Sequence, residues 1–172
     1  YRSTLKPESS LLETMPDSVD LGNSIGRPPL TVVQSILVAK NINYTISPSS
    51  TISPLTRTTT TGQHNYSVML YFFEFNKAVV NRSGLRAFNL TLSIGRSALI
   101  DQQTLDIFSL VGVNKLWEVS TGDAPVGPYS GDINIQIVTL PTSQLSASIA
   151  GAEVLQLLSN PMLTPTASSD GM

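Results

Sequence analysis

The sequence predicts an all-β domain built as an antiparallel β-sandwich, and three observations lead to that prediction. Short apolar runs alternate with polar residues at a period of two, as in strands with one wet face. Turn-forming residues, among them eleven Gly and eleven Pro, separate these runs. No stretch of ten or more residues has the apolar spacing of an amphipathic helix. Many short strands of this kind are typical of a sandwich or jelly roll, and we expect at least eight of them.

The first elements along the chain are short and rich in turn formers. We predict strands within 30–39 (LTVVQSILVA) and 42–46 (INYTI). The run 47–62 (SPSSTISPLTRTTTTG) has no periodic apolar face, and Pro48 and Pro54 block sheet pairing. We therefore expect a long exposed loop at about 47–62, in preference to an O-glycosylated stalk.

The strongest strand signals lie in the middle of the chain. The segment 66–75 (YSVMLYFFEF) is apolar on both faces, which predicts a strand inside a packed sheet. The segments 88–94 (FNLTLSI) and 133–138 (INIQIV) alternate between apolar and polar residues, so they are predicted core strands with one wet face. A last strand is expected at 152–158 (AEVLQLL), and one or two helical turns at 102–110.

The length of 172 residues fits one domain. Because the apolar periodicity ends near Pro161, we expect one module over 1–158 and a C-terminal linker over 159–172. The chain begins at Tyr1 without the charged and apolar regions of a signal peptide, so it reads as a mature or excised segment. No run approaches the roughly 20 apolar residues that span a bilayer, and we expect no direct membrane insertion by this segment.

Composition argues against several classes of function. Ten Lys+Arg and twelve Asp+Glu, without basic clusters, give a net charge of −2, so nucleic acid is not an expected partner. The absence of cysteine excludes zinc-thiolate sites, redox pairs and disulfides. His64, the single histidine, lies in a polar stretch and is expected to be a solvated loop residue. No cofactor and no metal is expected.

Catalysis is also not expected. Glu74 is the best candidate for a catalytic carboxylate, because it lies inside an apolar strand. The candidates for the second carboxylate of a catalytic pair are scattered along the chain: Asp101, Asp106, Asp123 and Asp132. A glutamate near the end of a strand more often faces solvent or pairs with a basic residue such as Lys77 or Arg86. The sequence therefore predicts a chain that is not an enzyme.

Three residues are candidates for ligand binding, and all lie in the region 117–132, which we expect to be loop. Tyr129 (GPYSGD) lies in a Gly/Pro-rich stretch near Asp132, a combination that suits hydrogen bonding to a ligand. Trp117 (KLWEV) is flanked by apolar residues, so a packing role in the core or at a sheet edge is favoured over binding.

The chain contains four N-x-Ser/Thr sequons, at Asn43 (NYT), Asn65 (NYS), Asn81 (NRS) and Asn89 (NLT). Asn65 and Asn81 are expected at strand edges or in loops, and Asn89 on the polar face of its strand. Each position is predicted to be able to carry a glycan. The sequons therefore favour secretion, and at least one of them is expected to be glycosylated.

The order of segments resembles the second half of a plant malectin-like domain. The matching segments are 65–75 (NYSVMLYFFEF), 86–95 (RAFNLTLSIG) and 133–157 (INIQIVTLPTSQLSASIAGAEVLQL). The opening 1–7 (YRSTLKP) is also similar to that of the family, as are the strands predicted near 30–39 and 42–46. Phe73 stands where the family usually has Ala, and Ser146-Ala147 stands where it usually has Pro-Pro. The chain therefore resembles a divergent member of the family.

This resemblance implies a jelly-roll-like sandwich related to the lectin malectin and found in ectodomains of plant receptor-like kinases and receptor-like proteins. Such modules usually occur in tandem, so an adjoining malectin-like module is an expected partner. The implied function is non-catalytic, extracellular recognition of a protein or peptide ligand, or of a co-receptor, at the cell surface. Two alternatives are a carbohydrate-binding lectin domain for cell-wall or glycoprotein oligosaccharides and a structural spacer.

Overall fold

The computed structural model of the chain describes residues 11–14, 35–47, 64–75, 83–122 and 125–157. Within these residues the chain forms eleven strands and one short helix. The strands are β1 (Leu11–Thr14), β2 (Ser35–Ala39), β3 (Asn41–Ile46), β4 (His64–Phe73), β5 (Ala87–Ile94), β6 (Ser97–Asp106), β7 (Leu116–Ser120), β8 (Val126–Tyr129), β9 (Ile133–Thr139), β10 (Ala147–Ile149) and β11 (Gly151–Leu157), and the helix is α1 (Ile107–Val111). The prediction of an all-β fold with at least eight strands is confirmed.

The strands form three antiparallel sheets. The front sheet has the strand order β3-β9-β5-β6. The back sheet has the order β11-β4-β7, and β8 pairs with the beginning of β4. A smaller sheet has the order β1-β2-β10. Because the front and back sheets bury their facing apolar residues against each other, the architecture is an antiparallel sandwich.

The core lies between the front and back sheets and follows the predicted alternation. In β5 the side chains of Phe88, Leu90, Leu92 and Ile94 point inward, and the intervening polar residues remain partly exposed. The rings of Phe88 and Phe72 pack with centroids 5.3 Å apart. Strand β9 repeats the alternation with its three isoleucines. The predicted core strands 88–94 and 133–138 are therefore confirmed.

Strand β4 is buried on both faces, as its two-sided apolarity predicts. One face contributes to the sandwich core, and the other packs Met69, Tyr71 and Phe73 into a second apolar cluster. Ile36 of β2 and Leu116 of β7 belong to that second cluster. The strand begins earlier than predicted, at His64, and ends at Phe73 rather than at residue 75.

Tyr71 gives the fold a predictable response to alkaline pH. Burial, with smaller contributions from the carboxylates of Glu153 and Glu118, raises its pKa above the ordinary value. The unfolded chain then loses the phenol proton near pH 10 while the folded chain keeps it, so the free energy of unfolding falls as the pH rises above about 10. We expect Tyr71→Phe to reduce this fall by up to about 1.4 kcal/mol per pH unit.

Urea denaturation at a series of pH values from 8 to 11 measures this effect. The variant should keep some alkaline sensitivity, because burial also raises the pKa of Tyr66. At pH 8, where Tyr71 is protonated in both the folded and the unfolded chain, the free energies of unfolding of the two proteins should differ only because the variant lacks one hydrogen bond. That bond runs from Tyr71 Oη to Glu153 Oε2 at 3.3 Å. Identical slopes above pH 10 would contradict the prediction.

One local prediction, of one or two helical turns at 102–110, is confirmed only in part, and another is wrong. Residues 102–106 belong to β6, and the helix of this region is confined to Ile107–Val111. The carboxylate of Asp106 caps that helix by accepting hydrogen bonds from Ser109. The region 117–132, expected to be loop, contains β7 and β8. Strand β6 lies at a sheet edge, where a register shift interrupts its alternation, and β8 contains Gly and Pro that read as a turn.

Some predictions fall on residues that the structure does not describe. Ser47 is exposed, but the rest of the predicted loop at 47–62 lies outside the described residues, as do the predicted linker 159–172 and the opening 1–7. The one helix in the described part of the chain, α1, has five residues and is too short to span a bilayer.

Candidate binding site

One end of the sandwich brings together the start of β4, strand β8, the β5–β6 turn and the β8–β9 loop. We call it the Tyr129 end and define it by His64, Tyr129, Asp132 and the turn Gly95-Arg96. Tyr129 lies opposite His64 across the β8–β4 pairing. The backbone N–H of Gly95 donates a hydrogen bond of 2.8 Å to the carbonyl oxygen of Asp132, which joins the turn to the loop.

Two glycines allow these segments to pack closely. Gly95 has φ +57°, and a Cβ at this position would collide with the carbonyl oxygen of Ser130. Gly127 has φ +142°, and its Cβ would lie 2.8 Å from the carbonyl oxygen of His64. Only glycine combines such angles with such close backbone contacts. The turn, the loop and the two strands are therefore held together by direct backbone contact, which favours a preorganised surface.

The side chains at the Tyr129 end offer mixed chemistry. Tyr129 packs its ring partly against the core. His64 lies edge-on to Tyr66, with ring centroids 6.3 Å apart and planes at 77°. Asp132 and Arg96 are exposed and add one charge of each sign. An aromatic ring beside polar and charged groups can supply both packing and hydrogen bonds to a bound molecule.

The sequence-predicted candidates divide between two places. Tyr129 and Asp132 lie at this end. Trp117 lies in β7 and pairs with Phe72 of β4. Tyr129 pairs with His64, which is eight residues earlier in the same strand. At about 3.3 Å per residue, Trp117 is roughly 26 Å from the Tyr129 end. Its ring packs against the core, and its buried Nε1 has no hydrogen-bond partner among the described residues. The favoured packing role is therefore confirmed.

His64 and Arg96 belong to the site although the sequence did not single them out for it. His64 is a half-buried residue of β4, not a solvated loop residue as expected. Its position follows from the pairing of β4 with β8, and Arg96 is placed by the β5–β6 turn. Only the Gly-Arg pair after a predicted strand could have marked Arg96 as a turn residue.

A second feature is a shallow polar groove on the outer face of the front sheet, with a volume of about 260 Å³. Its lining is uncharged: Asn43, Tyr44, Thr45, Thr91, Ser93, Asn134, Ile135 and Gln136. The strand register produces two rows across β3, β9 and β5, namely Asn43–Gln136–Thr91 and Thr45–Asn134–Ser93. The groove therefore presents amides and hydroxyls to a ligand.

The described sequons all point away from the core. Asn43 and Asn65 are exposed, and Asn89 is partly exposed. The Oδ1 atom of Asn89 accepts a hydrogen bond of 2.8 Å from Thr104 Oγ1. Asn81 lies outside the described residues. The positions of these three side chains are compatible with the predicted glycans.

The candidate catalytic carboxylate is part of a buried ion pair. Glu74 Oε2 lies 2.9 Å from Arg86 Nε, and the two side chains are 1% and 4% exposed. The predicted pairing with Arg86 is confirmed, but Glu74 does not face solvent. Arg86 also donates a hydrogen bond from Nη1 to the Ser146 carbonyl oxygen and lies over the ring of Phe75. The described residues contain no group of three or more His, Asp or Glu that could hold a metal ion.

No protein-family model and no curated protein sequence matches the chain. Solved structures do match it. The ANXUR1 extracellular domain from Arabidopsis thaliana is 14% identical, with a TM-score of 0.58 over 90% of this chain and 40% of that one. The ANX1 ectodomain from the same plant is 14% identical, with a TM-score of 0.60 over 93% and 41%. A second structure, of the plant receptor-like kinase ANX1, is 15% identical, with a TM-score of 0.52 over 86% and 41%.

These comparisons concern the fold. The chain spans about 40% of the length of the ectodomains that it matches. The match extends over about nine-tenths of this chain, and the strands that carry the sequence resemblance, β4, β5 and β9, are the central strands of the sandwich. The chain therefore has the β-sandwich fold of these plant receptor-kinase ectodomains, as its resemblance to malectin-like domains predicts.

Proposed function

We propose that the chain is a non-catalytic, extracellular binding module of a plant cell-surface receptor-like protein. It contacts a protein or peptide ligand, or a co-receptor, through the Tyr129 end. The fold shared with receptor-kinase ectodomains supports the class of protein. The observation that carries the site is the close backbone packing at two glycines: Gly95 packs the β5–β6 turn against the β8–β9 loop, and Gly127 packs β8 against the start of β4.

The low charge of the chain supports a ligand recognised by shape and hydrogen bonds. A net charge of −2 gives little electrostatic steering. Most of the binding energy in such interfaces comes from one or two aromatic anchors surrounded by polar contacts. Tyr129 can be that anchor, and Asp132 and Arg96 can form the polar rim.

The proposed module covers residues 1–158 and is followed by a linker at 159–172. Because the chain spans about 40% of the ectodomains that share its fold, we propose that it works beside an adjoining malectin-like module. The partner surface can extend onto that module, so binding is best measured with the complete ectodomain.

We expect Tyr129→Ala to weaken partner binding by roughly 1–2 kcal/mol, which is about five- to thirtyfold in affinity. Asp132→Ala should act in the same direction and leave the fold intact, because Asp132 is exposed. Affinity capture from native extract by the immobilised complete ectodomain, followed by titration of the recovered partner, measures the effect. Leu110→Ala, at an exposed position of α1, is the control.

A carbohydrate-binding lectin is the second candidate, and the polar groove favours it. Uncharged amides and hydroxyls are suitable partners for sugar hydroxyls. A glycan array probed with the complete ectodomain, run beside the capture experiment, separates the two candidates. Glycan binding that is lost in Gln136→Ala and kept in Tyr129→Ala would support the lectin. A structural spacer would show neither glycan nor protein binding dependent on these residues.

A further inference from the structure

The polar groove contains its own glycosylation sequon. Asn43 and Thr45, the first and third residues of Asn43-Tyr44-Thr45, both line it. They point to the same side because residues two apart in a strand share a face. Among the described strands β3 lies at an edge of the front sheet, and Asn43 is exposed, so a bulky group attached there can be accommodated.

Beside that asparagine the groove also has hydrogen-bonding groups that no other described residue uses. Thr45 Oγ1 donates a hydrogen bond of 2.9 Å to Asn134 Oδ1, which fixes one row. The side chains of Thr91, Ser93 and Gln136 form no hydrogen bond with another described residue. They provide two hydroxyls and an amide, which suit the hydroxyl and acetamido groups of an N-linked glycan.

The size of the groove argues for a tethered occupant rather than a free one. Its volume of about 260 Å³ lies below the roughly 300–1,000 Å³ of typical small-molecule sites. A covalently attached ligand has an effective concentration in the millimolar range, so weak contacts are sufficient to keep it in place.

We propose that Asn43 is N-glycosylated and that the inner sugars of its glycan lie in the polar groove. In the attachment step, Asn43 Nδ2 attacks C1 of the first N-acetylglucosamine of a lipid-linked oligosaccharide diphosphate. The N–C bond forms, the C–O bond to the diphosphate breaks, the lipid diphosphate leaves, and Nδ2 gives up one proton. The inference rests on the proposed extracellular function, because this transfer occurs in the secretory pathway. The groove is then covered by the protein's own sugar.

The test uses the parent protein, purified from its native source, and a peptide-N-glycosidase. Glycopeptide mass spectrometry measures the rate of glycan release at each sequon, for native and for denatured protein. We expect glycan release at Asn43 to be at least about tenfold slower in the native state. This is the effect expected if the glycan lies in the groove about ten times more often than it lies free in solvent, where the enzyme can reach it. The exposed Asn65 provides the comparison, and its native and denatured rates should be closer together.

Variants of the groove test whether its lining residues cause the slow release of the Asn43 glycan in the native protein. The double substitution Ser93→Ala and Gln136→Ala should bring native release at Asn43 close to the denatured rate, whereas Thr142→Ala, at an exposed turn position, should not. Asn89→Gln, which removes the other described sequon on this face, should leave the protection intact. An intact circular dichroism spectrum and unfolding midpoint establish that each variant is folded.

Every outcome decides between the alternatives. An unmodified Asn43 beside a glycosylated Asn65 would overturn the inference and leave the proposed function standing. Equal native and denatured release rates at Asn43, or protection that survives the double substitution, would also overturn it. A protein without glycans at any sequon would count against the extracellular location itself.

Discussion

Replacing Arg86 with alanine should lower the free energy of unfolding by about 3–5 kcal/mol, the usual cost of leaving a buried charge without its partner. The carboxylate of Glu74 is 1% exposed and lies 2.9 Å from Arg86 Nε. The substitution also removes the hydrogen bond of 2.7 Å to the Ser146 carbonyl oxygen and the stacking over Phe75. Arg86 thus connects the end of β4 to the segment before β10.

Urea denaturation followed by fluorescence or circular dichroism measures this loss. Arg96→Ala is the matched control, because Arg96 is exposed and its removal should change stability by no more than about 0.5 kcal/mol. The double substitution Glu74→Leu and Arg86→Met should cost less than Arg86→Ala alone, since it leaves no buried charge behind. An Arg86→Ala protein as stable as Arg96→Ala would show that the ion pair has no structural role.

Phe88→Ala should have a comparable effect, about 3–5 kcal/mol, through a cavity in the sandwich core. Phe88 is 0% exposed and packs on Phe72 of the opposite sheet. It lies in β5, which pairs with β6 on one side and β9 on the other, so the surrounding backbone has little freedom to fill the space.

The same denaturation experiment, with Phe108→Ala as its control, tests this prediction. Phe108 is a partly exposed residue of α1, and its truncation should cost markedly less. Phe88→Leu should fall between the wild type and Phe88→Ala, because it retains part of the packed volume. Equal losses for Phe88→Ala and Phe108→Ala would contradict the assignment of Phe88 to the core.

The sequence predicted the strands whose burial follows a simple period. β5 and β9 alternate because one face meets the core and the other meets solvent, and β4 is apolar throughout because both of its faces are covered. β6 and β8 were missed because neither lies inside a regular ladder. β6 has register shifts against β5, and β8 pairs with β4 through only two residue pairs. At such positions the pairing partner, rather than local composition, determines the structure.

The candidate site was predictable only where local signals exist. The Gly/Pro-rich stretch marked Tyr129 and Asp132. His64 joins the candidate site because β8 pairs with the start of β4. Trp117 lies far from that site because β7 pairs with the other end of β4. Sequence spacing reveals neither pairing. The polar groove likewise needs the register of β3, β9 and β5, since each strand alone shows only a polar face. The pairing of Glu74 with Arg86 was expected, but its burial depends on contacts that the fold creates.

The central claim is that the Tyr129 end is the surface of this module that contacts its partner, and site-specific photo-crosslinking in the complete parent protein tests it most directly. A photoreactive phenylalanine analogue would replace Tyr129 or Asp132, with Leu110 as the control position. Leu110 is 46% exposed, in the helix that follows β6 at the opposite end of the front sheet. We predict partner adducts from positions 129 and 132 and none from position 110. Adducts from position 110, without any from 129 or 132, would contradict the claim.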